Sequence, residues 1–152
     1  AVVQMLLGFK TVSAFFMPGS DSYMVLWKAV CVCLIDYIIA YTVLGLGGIF
    51  RNKIKNPSVS LCVGSIFALS LRYIAHIISG FIFFGTWADW FFSQDGFTLG
   101  AKILEKFSGQ GLAFLYSVIY NGLYMIPEII ITAIVALIIG RVPQISGRKN
   151  TK

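Results

Sequence analysis

Charge is scarce in this chain. Charged residues make up 12% of 152, and only six of them are acids. A soluble domain carries about 25% charged residues and about 45–50% apolar ones, whereas here 58% are hydrophobic and the mean hydropathy is +0.85. The shortage excludes an aqueous globular domain before any pattern is read. Histidine is nearly absent too. One His excludes a His-rich zinc site, and no G-x-S-x-G or H-E-x-x-H motif surrounds any serine or the histidine, so no catalytic residue, metal or cofactor is expected. Cysteine is limited to Cys31, Cys33 and Cys62, all within apolar stretches. An odd count gives no disulfide framework, and two cysteines two apart on a helix point to nearly opposite sides. They read as small buried apolar groups. The period-2 alternation of a membrane barrel is also missing, which leaves helices as the spanning structure.

What is present is a set of long apolar runs. A span needs roughly 20 predominantly apolar residues. Four stretches meet or approach this, and together they give one transmembrane helical domain over residues 1–152. Residues 1–17 are short and interrupted by Lys10. The turn-forming PGSDSY follows, and then come spans over about 23–50, 59–85 and 111–140. The chain starts inside an apolar run without an initiator Met or a signal-peptide layout, so it is expected to be the interior of a longer protein.

Orientation follows from the basic residues. Of twelve, Arg51, Lys53 and Lys55 share one short loop, and Arg141, Arg148, Lys149 and Lys152 share the tail at 141–152; neither place holds an acid. This asymmetry places both in the cytoplasm, and it lacks the continuous basic face of a nucleic-acid binder. The outer loop at 86–110 then holds Trp87, Trp90, Phe91 and Phe92, suited to an interfacial aromatic belt, and LGAKILEKF (99–107), suited to a short surface helix. On the third span Ser60, Gly64 and Ala68 recur every four residues, the spacing that lets helices approach closely.

The segment LRYIAHIISG (71–80) sets a problem: Arg72 and His76 stand one turn apart in a run greasy enough to cross a bilayer. A charge at the bilayer centre costs at least ~2.5–3.5 kcal/mol. Arg72, His76 and Gly80 are spaced by four and share a face. Asp36 and Tyr37 lie in the second span, and Tyr116, Asn121, Tyr124 and Glu128 in the fourth, where Pro127 removes a backbone hydrogen bond and is expected to bend the helix. The bland reading pairs Arg72 with Asp36 as a helix-registering ion pair and treats Tyr116 and Asn121 as interhelical glue. The sharper reading takes the convergence as a site, because intramembrane ionisable groups mark ligands or pathways. An acid, an amide and the aromatics Phe83, Phe84 and Trp87 suit a small, flat, cationic ligand, with Arg72 and His76 bordering a wet outward cavity.

Three segments carry a resemblance: LIDYIIAYTVLGLGGIFR (34–51), LRYIAHIISGFIFFGTWA (71–88) and YSVIYNGLYMIPEIIITAI (116–134). In order and spacing they resemble the thiamine-specific substrate-binding subunit of energy-coupling-factor (ECF) vitamin transporters. The resemblance implies an all-α bundle of six spans, the four here corresponding to the last four. It implies capture of thiamine outside the bacterial cytoplasmic membrane, without catalysis, and docking on a membrane coupling subunit driven by two ATPase subunits. Carried over residue by residue, it places Asp36 on the aminopyrimidine with Tyr37 beside it. It sets Arg72 near the hydroxyethyl arm and His76 and Gly80 near the thiazolium, with Tyr116 and Asn121 as the polar pair of the last helix. The stacking aromatic falls at Phe84 by direct spacing, with Trp87 one turn on. Lys10 sits near the family's third-helix aromatic, and the small-residue docking surface of the family's first helix has no counterpart. A sister subunit for another vitamin and a non-binding assembly protein are the alternatives.

Overall fold

The computed structural model describes residues 12–14, 16–17 and 24–142. The expected first span, residues 1–17, falls almost wholly outside them, as do Lys10 and most of the basic tail. Among the described residues, three helices are long and apolar enough to cross a membrane: α1 (Leu26–Phe50), α2 (Pro57–Phe83) and α5 (Gly109–Ile139). At 1.5 Å per residue, the 27 residues of α2 extend about 40 Å, more than the ~30 Å hydrocarbon core. Among the described residues every regular element is helical, so the chain is an all-α membrane bundle.

α1 changes its winding along its length. Leu26–Cys33 is α-helical, Leu34–Ile39 forms a wider π-helical turn, Ala40–Thr42 returns to α, and Val43–Phe50 tightens to 3-10. Two local causes act in its second half. The Thr42 hydroxyl donates to the Ile38 carbonyl four residues back (2.6 Å), a bond that bends helices. Gly45, Gly47 and Gly48 then each weaken α-helix by about 1 kcal/mol relative to Ala.

α2 starts at Asn56, whose side-chain oxygen accepts from the backbone N–H groups of Ser58 (3.0 Å) and Val59 (3.4 Å). Pro57 occupies the first helical position, where a missing N–H does no harm. This cap begins the helix two residues before the start read from hydropathy. Beyond α2 the chain makes a 3-10 turn at Gly85–Trp87 and two short helices, α3 (Ala88–Phe92) and α4 (Gly100–Lys106). It re-enters at Gly109, whose φ of 56° suits glycine. α5 continues through Pro127 as one helix.

α2 is central, with α1 and α5 packed against it. Ser60, Gly64 and Ala68 are buried on one of its faces. There the backbones of Gly64 and Gly47 come so close that a methyl at Gly64 would overlap the Gly47 carbonyl oxygen. The Ser60 hydroxyl donates to the Phe50 carbonyl (2.8 Å). Isoleucines 74, 78 and 82 of α2 and 130, 131, 134 and 138 of α5 are exposed, as lipid-facing residues must be. Arg51, Lys53 and Lys55 lie at the end of the bundle opposite α3 and α4.

Candidate functional site

The polar residues of the three long helices meet in one buried seam. On α1, Asp36 stands in the π-helical turn, a wide turn of the kind frequent at functional sites. One of its oxygens lies 2.8 Å from His76 Nδ1, and the other accepts from the Ser79 hydroxyl at 2.8 Å. One turn toward the basic end, Arg72 Nη1 donates to Glu128 Oε1 of α5 at 2.8 Å. Its guanidinium lies over the Tyr41 ring of α1, 5.0 Å from the centroid. Asn121 of α5 donates to the Ser117 carbonyl (2.8 Å) and to the His76 carbonyl (3.2 Å), and accepts from the Tyr124 hydroxyl. Ser117 donates to the Ile77 carbonyl (2.7 Å), and Tyr73 to the Val118 carbonyl (2.7 Å). Such bonds average about 0.6 kcal/mol between membrane helices, so the seam fixes register more than it adds stability.

This layout corrects the bland pairing. Arg72 meets Glu128, and Asp36 meets His76 and Ser79. The register explains it: α5 runs antiparallel to α2, so with Asn121 level with His76, Glu128, seven residues on, falls level with Leu69, where the long Arg72 side chain, less than one turn away, reaches it. α1 presents Tyr41 beside Arg72 and Asp36 one to two turns nearer α3 and α4. The notion that Arg72 and His76 border a wet cavity also changes. Their side chains are 10% and 11% exposed, and one nitrogen of each meets a carboxylate. Two nitrogens in the seam, Arg72 Nε and His76 Nε2, are buried with no hydrogen-bond partner among the described residues.

Above the seam, at the end carrying α3 and α4, lies an open cavity of about 470 Å³. Phe84, Trp87 and Tyr116 line it, with Met24, Lys28 and Tyr120. Tyr116 is buried there in an aromatic cluster, its ring 5.4 Å from both Phe91 and Tyr120. The cavity and the seam are neighbours along the chain: Phe84 is one turn beyond Gly80, and Tyr116 five residues before Asn121. A second cavity, of about 900 Å³, opens at the basic end between Arg51, Lys55, Ser60, Thr132 and Glu128.

The site residues expected from the sequence thus divide into two layers. Asp36, Arg72, His76 and Asn121 form the seam; Phe84, Trp87 and Tyr116 form the cavity. Gly80 is a close-approach position, where a methyl would overlap the Ser117 hydroxyl. Tyr37 is half-buried beside Asp36 and lines neither cavity. Ser79, Ser117, Tyr41 and Lys28 were not singled out. Ser79 was within reach, being three residues after His76 and so on its face.

An all-α integral membrane protein with inward-facing polar groups beneath an aromatic cavity is the class that fold and site define. The family described as Thiamine transporter protein (Thia_YuaJ) matches residues 15–93, just over half of the chain, and the chain belongs to it. The thiamine transporter ThiT of Bacillus subtilis (strain 168) is 34% identical over 111 residues, covering 67% of this chain and 48% of that protein. The chain therefore spans about half the length of the curated relative it matches. No solved structure matches.

Proposed function

We propose that this chain forms the ligand-holding part of a thiamine uptake protein in the bacterial cell membrane. In this reading it is the substrate-binding subunit of an ECF-type transporter, with a cytoplasmic C-terminus, and a membrane coupling subunit and two ATPase subunits supply the energy. The observation that carries the reading is the Asp36–His76–Ser79 cluster lying next to the aromatic cavity. Thiamine is a flat cation with a polar arm. Its ring finds faces in Phe84, Trp87 and Tyr116, and its charge finds the Asp36 carboxylate. Membership of the thiamine transporter family supports the vitamin's identity, and transport in place of catalysis goes with it. Both Asp36 oxygens are engaged, yet each keeps a lone pair for a further donor.

Titration of thiamine into the detergent-solubilised protein, followed by tryptophan fluorescence with riboflavin and biotin as controls, tests this. Trp87 and Trp90 line the cavity and report its filling. Saturable quenching by thiamine alone is the expected result. A response to riboflavin or biotin alone moves the assignment to a sister vitamin, and indifference to all three leaves an assembly role.

A further inference from the structure

We propose that Glu128 sets the charge preference of the site, although it does not touch the ligand. The inference rests on the thiamine reading above and asks what lets that site favour a cation. Within the three long helices the Asp, Glu, Lys, Arg and His side chains are Lys28, Asp36, Arg72, His76 and Glu128. Lys28 is exposed at the outer rim of the cavity, where water screens it. The other four belong to the seam.

Arg72 taken alone works against a cationic ligand. A buried guanidinium one turn from the Asp36–His76 pair would offset the carboxylate there, and an arriving cation would then leave an unbalanced positive charge in a medium of low dielectric. Glu128 removes that conflict. It holds Arg72 at 2.8 Å from the opposite helix, while the Tyr41 ring covers the guanidinium face. The formal charges of Asp36, Arg72 and Glu128 sum to one negative charge, which a single cation neutralises. Glu128 itself faces the cavity at the basic end, its side chain 34% exposed. It acts through Arg72 and is a positioning residue, not a ligand contact.

The test compares two ligands of one shape: thiamine, and its neutral isostere with carbon in place of the quaternary ring nitrogen. The readout is the ratio of their dissociation constants, which a merely structural role for Glu128 does not move. Wild type favours the cation. Glu128→Gln keeps the size and a hydrogen-bond acceptor but leaves Arg72 uncompensated, and lowers the preference about tenfold, the scale for one charge roughly 10 Å away at an effective dielectric of ~20. Glu128→Asp retains the preference, and Arg72→Met with Glu128→Gln restores it. Should Glu128→Gln not fold, Arg72→Met alone serves, and raises the preference by a similar factor. A ratio unchanged in these variants while wild type still binds thiamine overturns the inference alone. A wild-type protein that takes neither ligand overturns the thiamine reading and the inference with it.

Discussion

The two halves of α2 present the same face to the same neighbours, yet they pack in different ways. Toward the basic end, Ser60, Gly64 and Ala68 bring backbones together, with Gly64 against Gly47. Toward the end carrying α3 and α4, Arg72, His76 and Ser79 add hydrogen bonds and ion pairs to Glu128 and Asp36. In lipid, where apolar side chains gain little by leaving their surroundings, both devices hold helices together. Only the second gathers an acid, a histidine and an arginine in one seam. In the proposed reading, one half of the helix is a fastening, and the other is a fastening that also recognises.

That contrast is broken most severely at Gly64. Gly64→Ala puts a methyl onto the Gly47 carbonyl, and since backbone must move to admit it, we expect about 2–3 kcal/mol of lost stability. Thermal unfolding in detergent reads this, and thiamine affinity of the surviving folded fraction should change little. A variant as stable as wild type would mean that the two backbones are not in contact. Asp36→Asn reverses the pattern. It keeps the shape, should change the unfolding midpoint little, and should weaken thiamine binding by about thirtyfold, some 2 kcal/mol; affinity that survives unchanged removes Asp36 from the site. The smallest effect is expected at Ser79→Ala. Losing one interhelical hydrogen bond costs about 0.6 kcal/mol, together with a several-fold loss of affinity as Asp36 loses one of its two fixed partners. Equal affinity in Ser79→Ala would show that His76 alone orients the carboxylate.

Much of the fold was legible because hydropathy and length suffice to find a helix that crosses a bilayer. The runs at 23–50, 59–85 and 111–140 need no tertiary information. The fastening half of α2 was legible as well, since small residues at intervals of four have few other uses in an apolar run. The seam was legible as a list of residues but not as a set of pairs. Whether Arg72 meets Asp36 or Glu128 depends on the relative register of α2 and α5, which Gly80 against Ser117 and Tyr73 against Val118 decide across more than 35 residues of chain. The winding of α1 was hidden for another reason. Nothing in LIDYII distinguishes a π turn from an α turn, because the difference is settled by what the helix packs against.

That wide turn at Leu34–Ile39 has a mechanical consequence. A π turn accommodates one residue more than an α turn, so α1 is in effect two screw threads joined out of phase, with Asp36 at the joint. If one residue were removed there and the turn regularised, everything beyond it would rotate by about 100°. Gly47 would swing away from Gly64 and Tyr41 away from Arg72. The joint thus lets one helix satisfy two neighbours with different demands, a tight fastening at one end and an acid facing inward at the other.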